Sequence, residues 1–273
     1  MRIFIRHETT YEYDDPPKNV IQTLRLTPRH HESQYIVRWR IALSHDGRLD
    51  QREDAFGNLL HAFTLAGPVE RIGIDVEGEV ETQDSAGVVR GAVERFPPNF
   101  FLRETPLTEP DDAIRALAGE ISGASTQLDQ MHRLLGKLNT DMSFDPDPTH
   151  VHTTAAQAYA LKAGVCQDLS HIFIAAARTI GIPARYVSGH MYRVDGVTDL
   201  VAGHAWVEVY LNDLGWVAFD PTNGICATDA HVRIAVGLDY LGAAPVRGSR
   251  QGGSHERLVV NVKVAQAQSQ QQT

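Results

Sequence analysis

Three residues of this 273-residue chain have the types and the order that thiol chemistry requires. Cys166 stands in Gly164-Val165-Cys166-Gln167-Asp168, His204 in Gly203-His204-Ala205-Trp206, and Asp220 in Trp216-Val217-Ala218-Phe219-Asp220-Pro221. A thiolate can attack a carbonyl carbon, a histidine can take and return the proton, and a carboxylate can hold that histidine in one tautomer. The histidine follows the cysteine by 38 residues and precedes the aspartate by 16. A separate element must therefore deliver each of them.

Leu169, Ile172, Phe173, Ala176 and Ile180 recur at helical spacing, with Gly181 as a stop and Pro183 unable to extend the helix. The helix starts close to Cys166, where unpaired amides and the dipole stabilise a thiolate. The rival reading is a small buried hydrophobe, the common state of a free cysteine. Gln167, Asp168 and Ser170 are too polar a neighbourhood to favour it, and Gly164 permits close backbone approach. The next segment, Ala184 to Tyr192, reads as a strand with a bulge or turn at Gly189.

Ala205, Val207, Val209 and Leu211 then alternate with His204, Trp206, Glu208 and Tyr210. The first set reads as the core face and the second as the open face. A turn at Asn212-Asp213-Leu214-Gly215 leads to the aspartate strand. A three-residue loop at 213–215 pairs Asn212 with Trp216 and sets Asp220 opposite Glu208, on the face of His204. A four-residue loop puts Asp220 on the other face, because a one-residue slip inverts every side chain.

The first 85 residues read as an antiparallel β-sandwich or barrel. Tyr35, Val37, Trp39, Ile41 and Leu43 alternate with polar neighbours, as do Ile72, Ile74 and Val76, and turn signals separate the runs. The histidines there (His7, His30, His31, His45, His61) lack metal-ligand spacing and read as surface residues. Residues 86–110 form a linker rich in Pro, and 111–264 form a second domain that opens with amphipathic helices. His150 and His152, two apart in an irregular loop, make a weak metal candidate. A last strand from Glu256 to Val264 is expected to join the second domain's sheet, after a loop at 242–253. The polar end, 265–273, reads as disordered.

Composition narrows the function classes. Hydrophobic residues make up 42% and charged residues 22%, which is ordinary for a globular chain. A net charge of −9 argues against nucleic acid or an anionic membrane surface as partner. No apolar run reaches the roughly 18 residues of a membrane span. Two cysteines make no disulfide framework, and a single Cys166–Cys226 bridge depends on a geometry that sequence does not give. A reducing, cytoplasmic setting is the expectation, since no signal peptide precedes the first strand.

Taken together, Gly164-Val165-Cys166-Gln167-Asp168, Gly181-Ile182-Pro183-Ala184-Arg185, His204-Ala205-Trp206-Val207-Glu208 and Gly215-Trp216-Val217-Ala218-Phe219-Asp220-Pro221-Thr222 resemble the bacterial transglutaminase-like superfamily of cysteine proteases. Asp54-Ala55-Phe56-Gly57-Asn58 in the first third is similar to the N-terminal domain that accompanies this core in one bacterial branch. Residues 231–240 and 245–248 resemble its C-terminal part. The resemblance implies an α+β fold whose papain-like core packs a cysteine-bearing helix on an antiparallel sheet. It implies Cys166, His204 and Asp220 as a catalytic triad, with no cofactor and no metal. The expected partner is a peptide or protein substrate offering a glutamine or amide carbonyl. Hydrolysis through a thioester is the leading activity. Transfer to an amine, or a vestigial non-catalytic site, are the alternatives.

Overall fold

The computed structural model describes residues 1–267. The first third carries β1 (Arg2–Tyr13), β2 (Asn19–Thr27), β3 (Gln34–Leu43), β4 (Asp50–Glu53), β5 (Leu59–Ala66) and β6 (Arg71–Thr82). A short β7 (Val88–Val89) and a 3-10 turn at Pro98–Leu102 lead into α1 (Asp112–Ser122) and α2 (Gln127–Asp141). Next come β8 (Ser143–Phe144), α3 (Ala155–Leu161), β9 (Ala163–Gly164) and α4 (Cys166–Thr179). The remainder is β10 (Ala184–Met191), β11 (Asp199–Leu200), β12 (His204–Leu211), β13 (Gly215–Asp220), β14 (Ile225–Cys226), β15 (His231–Gly237), α5 (Tyr240–Ala243), β16 (Val246–Gln251) and β17 (Glu256–Gln266).

Two sheets, β11-β17-β1-β6-β3 and β16-β2-β5-β4, form the expected antiparallel sandwich. One face of β1 is buried along its whole length, through Ile3, Ile5, His7, Thr9, Tyr11 and Tyr13. Tyr11 and Tyr13 join Val20, Leu24, Phe63, Ile72 and Ile74 between the two sheets. Ile3 and Ile5, with Val80, Val262 and Val264, instead pack into the core built around α1, α2 and α4. One strand therefore serves both cores and couples the sandwich to the helical module.

The C-terminal strands depart from expectation. β17 pairs with β1 from Tyr13↔Glu256 to Ile3↔Gln266, in the sandwich and not in the second domain's sheet. Residues 246–251 are likewise not loop but a strand paired with β2. The alternating pattern identified the last strand, but periodicity carries no information about which open edge will receive it. Ala265 and Gln266, expected in a disordered tail, close β17 on β1. Residues 268–273 lie outside the described part.

The site-bearing sheet has the order β14-β13-β12-β10-β15, with β7 also on β13. Helix α4 covers one face, where Leu169, Ile172, Phe173 and Ala176 meet Ala205, Val207 and Val209. The other face was expected to be open and is not. Trp206 packs there with Val187, Ala218 and Val236 under Phe56 and Val89. Beside it lies a buried ionic cluster. Arg185 donates from Nε to Glu208 Oε2 at 2.7 Å and from Nη1 and Nη2 to Glu94 at 2.7 and 2.9 Å. Arg233 Nε donates to Glu208 Oε1 at 2.7 Å. The Arg185 guanidinium also stacks 3.8 Å above the Trp216 ring. Alternation marks Glu208 as polar, but only tertiary packing reveals that two arginines accompany it inside and that the exposed linker residue Glu94 pairs with Arg185 from the surface.

Burial pushes the Glu208 carboxyl up, but the Arg233 and Arg185 charges override this and bring it down to about 2. A folded-state value below the unfolded 4.5 means the contribution is present above pH 4.5 and lost as pH falls towards 2. Glu208→Ala is expected to cost roughly 3–5 kcal/mol at neutral pH by leaving Arg185 and Arg233 uncompensated. Denaturant midpoints of parent and variant would measure this, and a difference under about 1 kcal/mol would refute it.

Candidate active site

Cys166 is the first residue of α4, with Val165 in extended conformation ahead of it. Asp168 folds back over the helix start, and its Oδ2 accepts from the Val165 amide at 2.8 Å and from Thr149 Oγ1 at 2.7 Å. This is half of a capping box, because valine has no side-chain acceptor to return. The amide of Cys166 itself is among the first of the helix, which have no intrahelical partner. Gly164 is required by the same fold-back, since a Cβ there would lie 2.7 Å from Asp168 Cβ and Oδ2. Burial raises the Asp168 pKa against the pull of these bonds.

The hairpin pairs Leu211 with Gly215, Glu208 with Ala218 and Val207 with Phe219. The loop is therefore the three residues 212–214. Gly215 takes the left-handed conformation at φ 78°, as the bulge position of such a loop demands. Continuing the register one step sets Asp220 opposite Trp206, not Glu208. The pairing differs from the expected one by two residues, so the face is unchanged and Asp220 lies on the face of His204.

His204 Nε2 and Asp220 Oδ2 lie 2.7 Å apart. Four further donors converge on the buried Asp220 carboxylate. Asn223 Nδ2 reaches Oδ2 at 2.7 Å, and His231 Nε2 reaches it at 3.1 Å. The amides of Thr222 and Asn223 reach Oδ1 at 3.1 and 3.2 Å. His231 Nδ1 accepts from the Thr228 amide at 3.1 Å, which assigns its proton to Nε2 and makes it a donor to Asp220. The sequence reading missed Asn223 and His231 as parts of the site. Asn223 left a local signal, three residues past an aspartate in a turn. His231 left none, because it comes from a strand at the far side of the sheet order.

Burial alone would lower the His204 pKa, but the Asp220 charge and bond, with Cys166 adding in the same direction, raise it to about 10. Burial would raise the Asp220 pKa, and His204 with His231 holds it well below the ordinary carboxylate range. Among the described residues, His204, Asp220 and His231 are also the group whose ligand atoms fall within 4.8 Å of one another, a spacing open to a metal ion. The hydrogen bonds between them already account for that spacing. His150 and His152 are exposed, with the His150 ring accepting from the His152 amide.

Cys166 and His204 line one cavity of about 250 Å³. Gln167, Tyr186, Ser188 and His190 share the wall from the core, and His7, Thr9, Tyr11, Leu258 and Val260 share it from the sandwich. His7, expected at the surface, is thus a buried cavity residue, because its position on β1 falls on the face between Ile5 and Thr9. His30 and His45 are exposed as expected, whereas His31 and His61 are half-buried. Cys166 and Cys226 are both free thiols. Cys226 sits on β14 opposite Phe219, and burial raises its pKa.

The transglutaminase-like superfamily model matches residues 115–221, which include Cys166, His204 and Asp220. The bacterial transglutaminase-like N-terminal region matches residues 3–81. An uncharacterized protein of Mycobacterium leprae is 27% identical over 96% of this chain and 98% of its own length. An uncharacterized protein of Mycobacterium tuberculosis is 25% identical over 96% of this chain and 91% of its own. Among solved structures, one named "Putative Cysteine Protease" from Cytophaga hutchinsonii superposes with a TM-score of 0.79 at 19% identity, over 98% of this chain and 91% of that one. At that identity the likeness speaks for the fold, an α+β architecture with a transglutaminase-like core. The two family matches together span more than half of the sequence, and the chain belongs to the transglutaminase-like superfamily, with the bacterial transglutaminase-like N-terminal region preceding the core.

Proposed function

We propose that this protein is a cysteine-dependent amidase or peptidase acting through a thioester, with Cys166 as nucleophile, His204 as base and acid, and Asp220 as orienting carboxylate. The observation that carries the reading is the 2.7 Å bond between His204 Nε2 and Asp220. It leaves Nδ1 as the free ring nitrogen, on a residue that shares a cavity with Cys166. In the first step the Cys166 sulfur bonds the carbonyl carbon, the C–N bond breaks, and His204 gives its proton to the leaving amine. In the second, His204 takes a proton from water, the oxygen bonds the acyl carbon, and the thiol is released. In this reading the Cys166 amide, at the start of α4, donates to the oxyanion.

An amine in place of water makes the same site a transglutaminase. The test is incubation with a glutamine-containing peptide, with and without a labelled primary amine, followed by product mass. Cleaved or deamidated peptide identifies water as acceptor, and a labelled adduct identifies the amine. Unchanged peptide in every arm, or the same product from Cys166→Ala, would overturn the reading.

A further inference from the structure

Asp220 takes its donors from two kinds of place. The amides of Thr222 and Asn223 on Oδ1, and Asn223 Nδ2 on Oδ2, come from the turn that follows Asp220 in the chain. They fix the carboxylate relative to its own turn and travel with it when the turn moves. His204 and His231 come instead from β12 and β15. His204 is the group that Asp220 has to orient, so it cannot serve as the fixed point. Among the described residues this leaves His231 as the donor that ties the carboxylate to the rest of the sheet.

His231 is itself firmly held. Its Nδ1 accepts from the Thr228 amide at 3.1 Å, which sets the ring so that Nε2 meets Asp220 Oδ2. The buried ring also stands edge to face against Trp206 at 5.2 Å. Its strand, β15, is the last of the site-bearing sheet. Two buried amide side chains from the N-terminal region cover the open edge of that strand. Gln34 exchanges two hydrogen bonds with the backbone of Arg233, at 2.9 and 2.8 Å. Asn58 exchanges two with the backbone of Val236, both at 2.8 Å. Each amide stands where the peptide group of a neighbouring strand would. The N-terminal region thus fixes β15, β15 fixes His231, and His231 anchors Asp220.

We propose that His231 is a positioning residue of the acyl-transfer site. Its bond to Oδ2 keeps the Asp220 carboxylate at the place and angle from which it orients His204, and the N-terminal region acts on the chemistry through it. The proposal rests on the reading of Cys166, His204 and Asp220 as the reacting set, and adds to it a residue outside the matched core of 115–221. A hydrogen bond to a charged group is among the stronger ones. One that sets the geometry of a proton carrier acts on the rate more than on substrate binding.

Three variants test it. His231→Phe and His231→Met keep bulk against Trp206 and remove the donor, whereas His231→Gln retains an N–H near the place of Nε2. With the glutamine-containing peptide as substrate, kcat is expected to fall about tenfold to a hundredfold in the first two, with KM within about twofold. In His231→Gln it is expected to stay within about threefold of the parent. Proton NMR of histidine-labelled protein gives a readout free of turnover. The His204 Nε2–H signal, identified by its loss in His204→Gln, is expected to persist in the parent and in His231→Gln. It is expected to be lost to exchange with water in His231→Phe and His231→Met. A purely structural role predicts a lower melting temperature in all three variants, with kcat and the signal of the folded protein unchanged. That result would overturn the proposal, as would equal losses in His231→Gln and His231→Phe. If the parent turns over no peptide, the acyl-transfer reading fails, while the NMR signal still decides whether His231 positions the pair.

Discussion

Cys166→Ala is expected to lower turnover of an amide substrate by about 10⁴-fold or more, with the melting temperature within about 3 °C of the parent. The size of the effect follows from the mechanism. Without sulfur there is no thioester, and His204 and Asp220 have nothing to activate. Stability changes little because Cys166 is only half-buried at the helix start. The same reading predicts which thiol reacts first. His204 is held protonated up to about pH 10, so a cation faces the cavity that Cys166 lines. Cys226 does not line that cavity, and burial raises its pKa. At pH 6, iodoacetamide should label Cys166 at least about tenfold faster than Cys226. Timed labelling with peptide mass mapping reads both rates, and equal rates would exclude an activated sulfur.

Asp220→Asn is expected to reduce turnover by about 10⁴-fold, the loss found when the orienting acid of a serine triad is amidated. Its effect on stability has a defined pH window. The His204 pKa rises from 6.5 to about 10 on folding, so its contribution is full below pH 6.5 and lost as pH rises towards 10. The Asp220 pKa falls on folding from 3.8, so its contribution is present above pH 3.8 and lost as pH drops. The shared contribution is complete between about pH 4 and 6.5. Breaking this buried pair should cost roughly 3–5 kcal/mol there. The gap between parent and variant melting temperatures should be widest near pH 5–6 and narrow by about pH 9. A gap that stays constant across this range would mean the two groups do not form a charged pair.

Much of the site could be read before folding because its signals are local. A glycine, a cysteine and a polar first turn ahead of an apolar helix describe the start of α4. The hairpin's parity put Asp220 on the right face even though the pairing itself was two residues off. Side chains alternate with a period of two, so an error of two residues is harmless to the face and an error of one is not. The Glu94–Arg185–Glu208–Arg233 cluster was out of reach for the opposite reason. It joins the linker and three strands, and none of the four residues is unusual in its own segment.

By itself the sequence determined most of the element types, the helix that presents Cys166, the face of Asp220 and the family, but not the strand at 246–251. The tertiary structure decided which sheet received β16 and β17, that a second histidine and Asn223 hold Asp220, and that β1 lends His7 and Thr9 to the cavity. The division has one physical cause. Capping, periodicity and turn length are interactions between near neighbours in the chain, so the residues that make them lie side by side in the sequence. Edge pairing and cavity lining join segments up to 263 residues apart, as Ile3 and Gln266 are, and depend on which surfaces remain uncovered after the local elements have formed.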